Sequence, residues 1–147
     1  MADSCFRQSL IETLTVPNVE TVNGSVFRDC SKLESVVFLN TANITLSGTN
    51  TFYNCTALRT VDFYGKVTIS SGQCFQKSNL TSLILRNTSE PSSLTITTAF
   101  AETPVINGTG YIYVPSTLVD QYKSATNWSA YASQIRAIED YPEITGD

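Results

Sequence analysis

Two stretches of the chain share one pattern. Phe27-Arg28-Asp29-Cys30-Ser31-Lys32-Leu33-Glu34-Ser35-Val36-Val37-Phe38 and Phe52-Tyr53-Asn54-Cys55-Thr56-Ala57-Leu58-Arg59-Thr60-Val61-Asp62-Phe63 both read Phe-x-x-Cys-x-x-Leu-x-x-Val-x-Phe. Agreement at that many positions does not arise by chance, and weaker copies lie on both sides. A unit this short cannot bury its own apolar face and must stack on copies of itself. Aligned on the aromatic residue, the anchors are Phe6, Phe27, Phe52, Phe75 and Phe100, spaced by 21, 25, 23 and 25 residues.

Inside each unit an apolar triplet follows the Phe: Ile11, Leu14, Val16; Leu33, Val36, Phe38; Leu58, Val61, Phe63; Leu80, Leu83, Leu85. A second apolar pair comes next, and in Ile44-Thr45-Leu46, Val67-Thr68-Ile69 and Leu94-Thr95-Ile96 it alternates with Thr. Alternation with period two marks half-buried strands. Each coil is therefore expected to hold a strand, a turn, a second short strand, and a tight helical turn carrying the Phe. Gly24, Gly48, Gly65 and Gly72 lie between these pieces, where a turn needs permissive backbone. Stacking at the strand spacing sets equivalent residues about 4.8 Å apart.

At these residues the chain resembles the BspA-like leucine-rich repeats found in bacterial surface proteins, in phage and in some protist surface proteins. The resemblance covers roughly Cys5 to Phe100, and its most specific motifs are Phe27-x-x-Cys30-x-x-Leu33 and Phe52-x-x-Cys55-x-x-Leu58. Ser9 and Ser78 replace the Cys in the flanking units, and each of those units drops one residue before its Ile or Leu. The resemblance implies an α/β repeat solenoid, mostly β: a right-handed leucine-rich-repeat coil stack with a short helical C-terminal cap.

After Phe100 the pattern stops. Tyr111-Ile112-Tyr113-Val114 reads as one more strand, and Pro115-Ser116 opens a helix with Leu118, Tyr122 and Ala125 on one face. Trp128, Tyr131 and Ile135 form a second helical stripe, beginning near Asn127. Repeat arrays need an atypical terminal unit. The expected division is residues 1–114 as about four coils, the first incomplete, plus a final strand; residues 115–138 as a helical cap; and residues 139–147 as an acidic tail. The start in mid-unit suggests the C-terminal part of a longer exported chain, with a cell-surface or extracellular location. A complete chain as given would be cytoplasmic, and self-association would then cover the open N-terminal end.

Composition removes several function classes. Net charge is −4 among 147 residues and no Lys/Arg cluster occurs, which argues against nucleic acid or anionic lipid as partner. No apolar run reaches the length of a membrane span. With no His in the sequence, the usual triads and His bases are excluded, and the isolated Asp62 does not make a hydrolase. Neither a metal nor a cofactor is expected. Four cysteines are present, none in Cys-x-x-Cys spacing. Cys30 and Cys55 occupy equivalent core positions, while Cys5 and Cys74 lie three coils apart, about 15 Å against a bridging limit of about 7 Å. Four free thiols follow. Asn-x-Ser/Thr triplets such as Asn43-Ile44-Thr45 and Asn54-Cys55-Thr56 read as turn residues of an Asn- and Thr-rich chain.

Recognition is left. Between the inward apolar residues of each first strand, the alternate residues point to the concave side. The outer columns of that side carry Val37, Leu39, Asp62, Tyr64, Ile84, Arg86 and Tyr113, a mixture of aromatic, apolar and Arg side chains typical of protein-binding patches. β-propensity alone would also place Val, Ile and Tyr there. Three readings stand at this point: a non-catalytic module binding a protein or glycan on the concave face in adhesion or host interaction, a structural spacer, or a small intracellular phage-encoded inhibitor acting by protein binding.

Overall fold

The two apolar runs of each unit become two strands on different sides of a coil. The first runs form β1 (Thr13–Val16), β3 (Ser35–Phe38), β5 (Thr60–Phe63) and β7 (Ser82–Leu85); the second runs form β2 (Thr21–Val22), β4 (Ile44–Leu46), β6 (Val67–Ile69) and β8 (Ser93–Leu94). These are features of a computed structural model that describes residues 1–146. Two further strands, β9 (Tyr111–Val114) and β10 (Ile135–Ala137), extend the first set, giving a six-stranded sheet β1-β3-β5-β7-β9-β10 and a four-stranded sheet β2-β4-β6-β8. Every pairing is parallel. Equivalent residues stand side by side: Leu14, Val36, Val61, Leu83, Ile112 and Ile135 form one inward row.

Between the sheets the core is a set of columns, one residue type per level. The rings of Phe6, Phe27, Phe52, Phe75 and Phe100 stack with centroids 4.9–5.5 Å apart and planes within 11° of parallel. Phe38 and Phe63 stack at 4.8 Å. Near-parallel planes follow from coils related by translation, since the same rotamer recurs at each level. From Phe27 to Phe100 the anchor rings are fully buried, each stabilising by about 1.5–3 kcal/mol relative to exposure.

The third side of each coil, which carries the Phe, is held differently. Residues two before and two after the anchor have positive φ: Ser25 and Asp29, Asn50 and Asn54, Gln73 and Lys77, with φ between 56° and 63°. In the units of Phe27 and Phe52 a left-handed residue stands at each end of a five-residue turn, and every second N–H of that turn points at the next coil. The N–H groups of Ser25, Phe27 and Asp29 donate to the carbonyls of Thr49, Thr51 and Tyr53, each at 2.9 Å, and Asn50, Phe52 and Asn54 donate to Gly72, Cys74 and Gln76 at 2.7–2.9 Å. None of these left-handed residues is glycine. Each costs about 1–2 kcal/mol of backbone strain, offset by the buried ring and, in the units of Phe27 and Phe52, by three hydrogen bonds to the next coil, where the unit of Phe75 makes one, to the Ala99 carbonyl. The glycines work otherwise: Gly48 has φ +77°, while Gly65 is needed for close approach, because a Cβ there would sit 2.3 Å from the Ala42 carbonyl oxygen.

Beyond Phe100 come a short helix α1 (Pro104–Asn107), strand β9, a 3-10 turn over Ser116–Leu118, helix α2 (Val119–Ser124) and a 3-10 segment Trp128–Gln134. This segment ends the Phe stack: Phe100 meets Trp128 at 6.2 Å and Tyr131 edge-on at 5.1 Å. It also meets the outer edge of the four-stranded sheet. The Ser92 N–H donates to Tyr122 Oη, Trp128 Nε1 donates to the Ser92 carbonyl, Asn127 Nδ2 to that of Leu94, and Tyr131 Oη to that of Thr97, all at 2.7 Å. Side chains thus take the bonds a further coil would have made.

Two expectations need correction. Ile135 is not on a helix; it begins β10, paired to β9 with Ile135 beside Ile112. The alternation Ile135-Arg136-Ala137-Ile138 carries that strand signal, but the 3.6-residue stripe from Trp128 obscured it. The segment read as a tail is folded too, as a 3-10 turn Ile138–Asp140 and helix α3 (Pro142–Thr145), and it returns over the six-stranded sheet.

Two substitutions separate the contributions. Phe52→Ala should lower unfolding free energy by about 3–5 kcal/mol in urea melts, with neighbouring coils lost together. At the exposed left-handed position 73, Gln73→Gly should be neutral or stabilising by up to about 1 kcal/mol, whereas Gln73→Val should destabilise. Equal effects of Gly and Val would contradict the backbone account.

Candidate functional site

The outward row of the six-stranded sheet runs Thr15, Val37, Asp62, Ile84, Tyr113, Arg136 across the six strands. One step further along the chain, Leu39, Tyr64 and Arg86 continue the ladder beyond the strand ends, their N–H groups donating to Val16, Phe38 and Phe63 at 2.9–3.0 Å. All seven residues singled out by sequence therefore share one surface. They do not share one environment.

Leu39 and Tyr64 are 43% and 42% exposed, and Val37 is half-buried. Asp62, Ile84 and Tyr113 are buried, at 7%, 4% and 7% exposure. Arg86 is bonded to Asp62, and what covers Ile84 and Tyr113 is the chain's own C-terminal segment. Ile84, Tyr113 and Ile138 make a small apolar cluster of their own, against which Tyr111, Tyr141 and Ile144 pack. The Tyr141 ring stands edge-on to Tyr113 at 5.0 Å. Burial, then the neighbouring Tyr141, pushes the Tyr113 phenol above its ordinary value.

Arg86 ties the two layers together. Its Nε and Nη2 donate to the two Asp62 carboxylate oxygens at 2.8 and 2.9 Å, and Nη2 also donates to the Ile144 carbonyl at 2.7 Å. The guanidinium lies 5.0 Å from the centre of the Tyr64 ring. Its pKa is raised, chiefly by the Asp62 hydrogen bonds. A bidentate pair of this kind fixes both side chains in one plane, and it commits Asp62 to structure rather than acid–base work. Beside it a cleft of about 270 Å³ is lined by Arg86, Thr88, Pro115, Ile138, Glu139 and Thr145. The Glu139 carboxylate in turn accepts the Ser116 N–H at 2.8 Å.

Sequence reasoning missed Arg136, whose guanidinium lies 4.7 Å from the centre of the Tyr111 ring, and the covering residues Tyr141 and Ile144. A signal was present. Ile138, Tyr141 and Ile144 recur every third residue through an otherwise acidic segment, as a turn laid on an apolar surface would require.

The cysteines explain their place in the repeat. Cys30 Sγ donates to the Phe6 carbonyl and Cys55 Sγ to that of Phe27, both at 2.9 Å, so each thiol bonds to the preceding coil's anchor. Ser78, in the equivalent position, is buried with no protein partner for its Oγ. All four thiols are free; Cys5 is exposed and the other three are buried. Hydrogen bonding with Cys30, then burial, pushes the Cys55 thiol up, and burial pushes the Cys74 thiol up to about 12. Among the described residues no group of three or more His, Cys, Asp or Glu could hold a metal, and no helix is long and apolar enough to cross a membrane.

Stacked parallel coils with an outward-facing strand row define a repeat module of the kind used in protein interaction. The BspA type leucine rich repeat region matches residues 1–125 in six copies, and the chain belongs to that family. The match runs past the anchor Phe100 to take in β9 and α2, so more of the chain is repeat-like than the Phe spacing alone suggests. Such repeats are in general non-catalytic. No curated protein matches the chain in sequence.

Brief treatment of the folded protein with iodoacetamide should label Cys5 alone, and labelling after unfolding in denaturant should reach four. Rapid modification of Cys55 or Cys74 in the folded protein would contradict the burial described here.

Proposed function

We propose that the chain is a recognition module of a surface-exposed bacterial or phage protein, binding a protein or glycan on the outward face of the six-stranded sheet. The observation that carries this is the pair Leu39 and Tyr64. Among the described residues only four large hydrophobic side chains are exposed, and these two are neighbours on the same surface, next to Val37 and Arg86. A solvent-exposed Leu beside an exposed Tyr is the chemistry of a contact residue pair. A spacer would require nothing apolar there.

On this reading Val37, Leu39, Tyr64 and Arg86 form the accessible contact surface, while Asp62 positions Arg86. Residues 116–134 act as the array's terminal cap, a role supported by four side-chain hydrogen bonds to the backbone of Ser92, Leu94 and Thr97, in and beside the edge strand β8. Right-handed winding of the coils, the rule for parallel crossover connections, belongs to the same proposal.

The test compares the chain with a Leu39→Ser/Tyr64→Ala variant on arrays of purified surface proteins and glycans, with thermal unfolding measured in parallel. Binding by the chain that is lost in the variant at unchanged Tm supports recognition. Binding retained in full by the variant would overturn the assignment of this surface, and no binding to any protein or glycan would favour the spacer.

A further inference from the structure

The outward row of the sheet is apolar and aromatic at Ile84 and Tyr113, yet these positions are dry. They are dry because residues 138–146 lie on them. This cover is chemically unlike the core it sits on. The main core is one continuous cluster between the two sheets; Ile84, Tyr113 and Ile138 form a second cluster on the other side of the six-stranded sheet. The backbone hydrogen bonds of the covering turn are local: Tyr141 to Ile138, Ile144 and Thr145 to Tyr141, and Gly146 to Pro142. These four bonds do not depend on the sheet. Among the contacts that hold it there are three apolar side chains at intervals of three residues, one guanidinium hydrogen bond to the Ile144 carbonyl, and the Glu139 contact with the Ser116 N–H. Two cations stand on the sheet's outward face, Arg86 and Arg136, and the covering turn carries Glu139, Asp140 and Glu143. Among the described residues no ion pair joins the two sets, since Arg86 is paired with Asp62, and the match is one of overall sign.

We infer that the C-terminal segment is a resident ligand of the strand face, and that the partner this face accepts is a short acidic peptide turn with an aromatic and an aliphatic residue three apart. The inference rests on the reading of that face as a recognition surface and says what the surface recognises. Tyr141 and Ile144 are the anchors of the resident segment. Ile84 and Tyr113 receive them, and Arg86 reads the backbone carbonyl that follows the second anchor's Cα. An external peptide of this kind must displace the segment to reach Ile84 and Tyr113. Leu39 and Tyr64 stay open to a partner while the segment is in place.

The segment follows β10 directly and so is tethered at an effective concentration on the order of millimolar, so occupancy in the folded chain requires an intrinsic dissociation constant at or below about 1 mM. The experiment uses the full-length chain carrying Ile144→Asp, which puts an unpaired carboxylate into the apolar contact and releases the segment, with Tyr141→Ala as the second releasing variant should the first not fold. An acetylated peptide of sequence 138–147 is titrated into the ¹⁵N-labelled variant. The expected result is saturable binding at or below about 1 mM, with amide shifts centred on Asp62, Ile84, Arg86 and Tyr113. Wild-type chain should bind the same peptide severalfold more weakly, and Arg86→Gln in the releasing variant should weaken it. A scrambled peptide that binds equally well, shifts away from the sheet, self-pairing of the released variant on this face, or no binding at millimolar peptide would each overturn the inference. Its failure is separable from that of the binding role, because the Leu39→Ser/Tyr64→Ala comparison reads an external partner at positions the segment leaves open.

Discussion

Everything in this molecule depends on the coil-to-coil translation enforced by parallel backbone hydrogen bonding. Each junction is bonded on three sides: by the six-stranded sheet, by the four-stranded sheet, and by the turn, flanked by left-handed residues, that carries the Phe. A parallel ladder holds neighbours about 4.8 Å apart, which is also the spacing at which flat rings make contact. The Phe column therefore stacks because the backbone fixes its spacing, and the ring burial in turn stabilises the strained residues on either side of each Phe. The Cys thiols add a fourth link, each bonded to the anchor carbonyl of the coil before it.

Such a stack has no internal reason to stop. Another coil would satisfy the outer edge of β8 with backbone groups; here Tyr122, Asn127, Trp128 and Tyr131 do it with side chains. Large rings with one polar tip suit this position, since the ring seals the core while the tip satisfies the edge. The first sheet is treated differently. It gains two strands beyond the last anchor Phe, and only then does the chain turn back over the sheet's outer face. The surface on which recognition is proposed is thus divided by the fold into an open half around Leu39 and Tyr64 and a covered half around Ile84 and Tyr113.

The repeat and its strands were legible in the sequence because both rest on periodicity: the Phe spacing fixed the coils, and alternation within Val36-Val37-Phe38 or Val61-Asp62-Phe63 set which residues face in. The left-handed positions were not legible. Ser25, Asn50 and Gln73 are polar like many other residues of this chain, and what sets them apart is a left-handed backbone angle two residues before each anchor. The glycines misled for the same reason, since Gly65 serves a close approach and not a turn conformation. β10 was hidden because three residues are too few to outweigh the helical stripe before them.

By itself the sequence determined that the chain is a stack of coils, which residues line its core, and which side chains alternate outward from the first strands, because each of these follows from local spacing. Only the tertiary structure decided which of those outward residues meet solvent. Asp62 and Tyr64 are two residues apart, yet one is buried under Arg86 and the other is open. That difference is made by Arg86, itself bonded to the Ile144 carbonyl far along the chain, and accessibility at such a distance is a property of packing that no local pattern encodes.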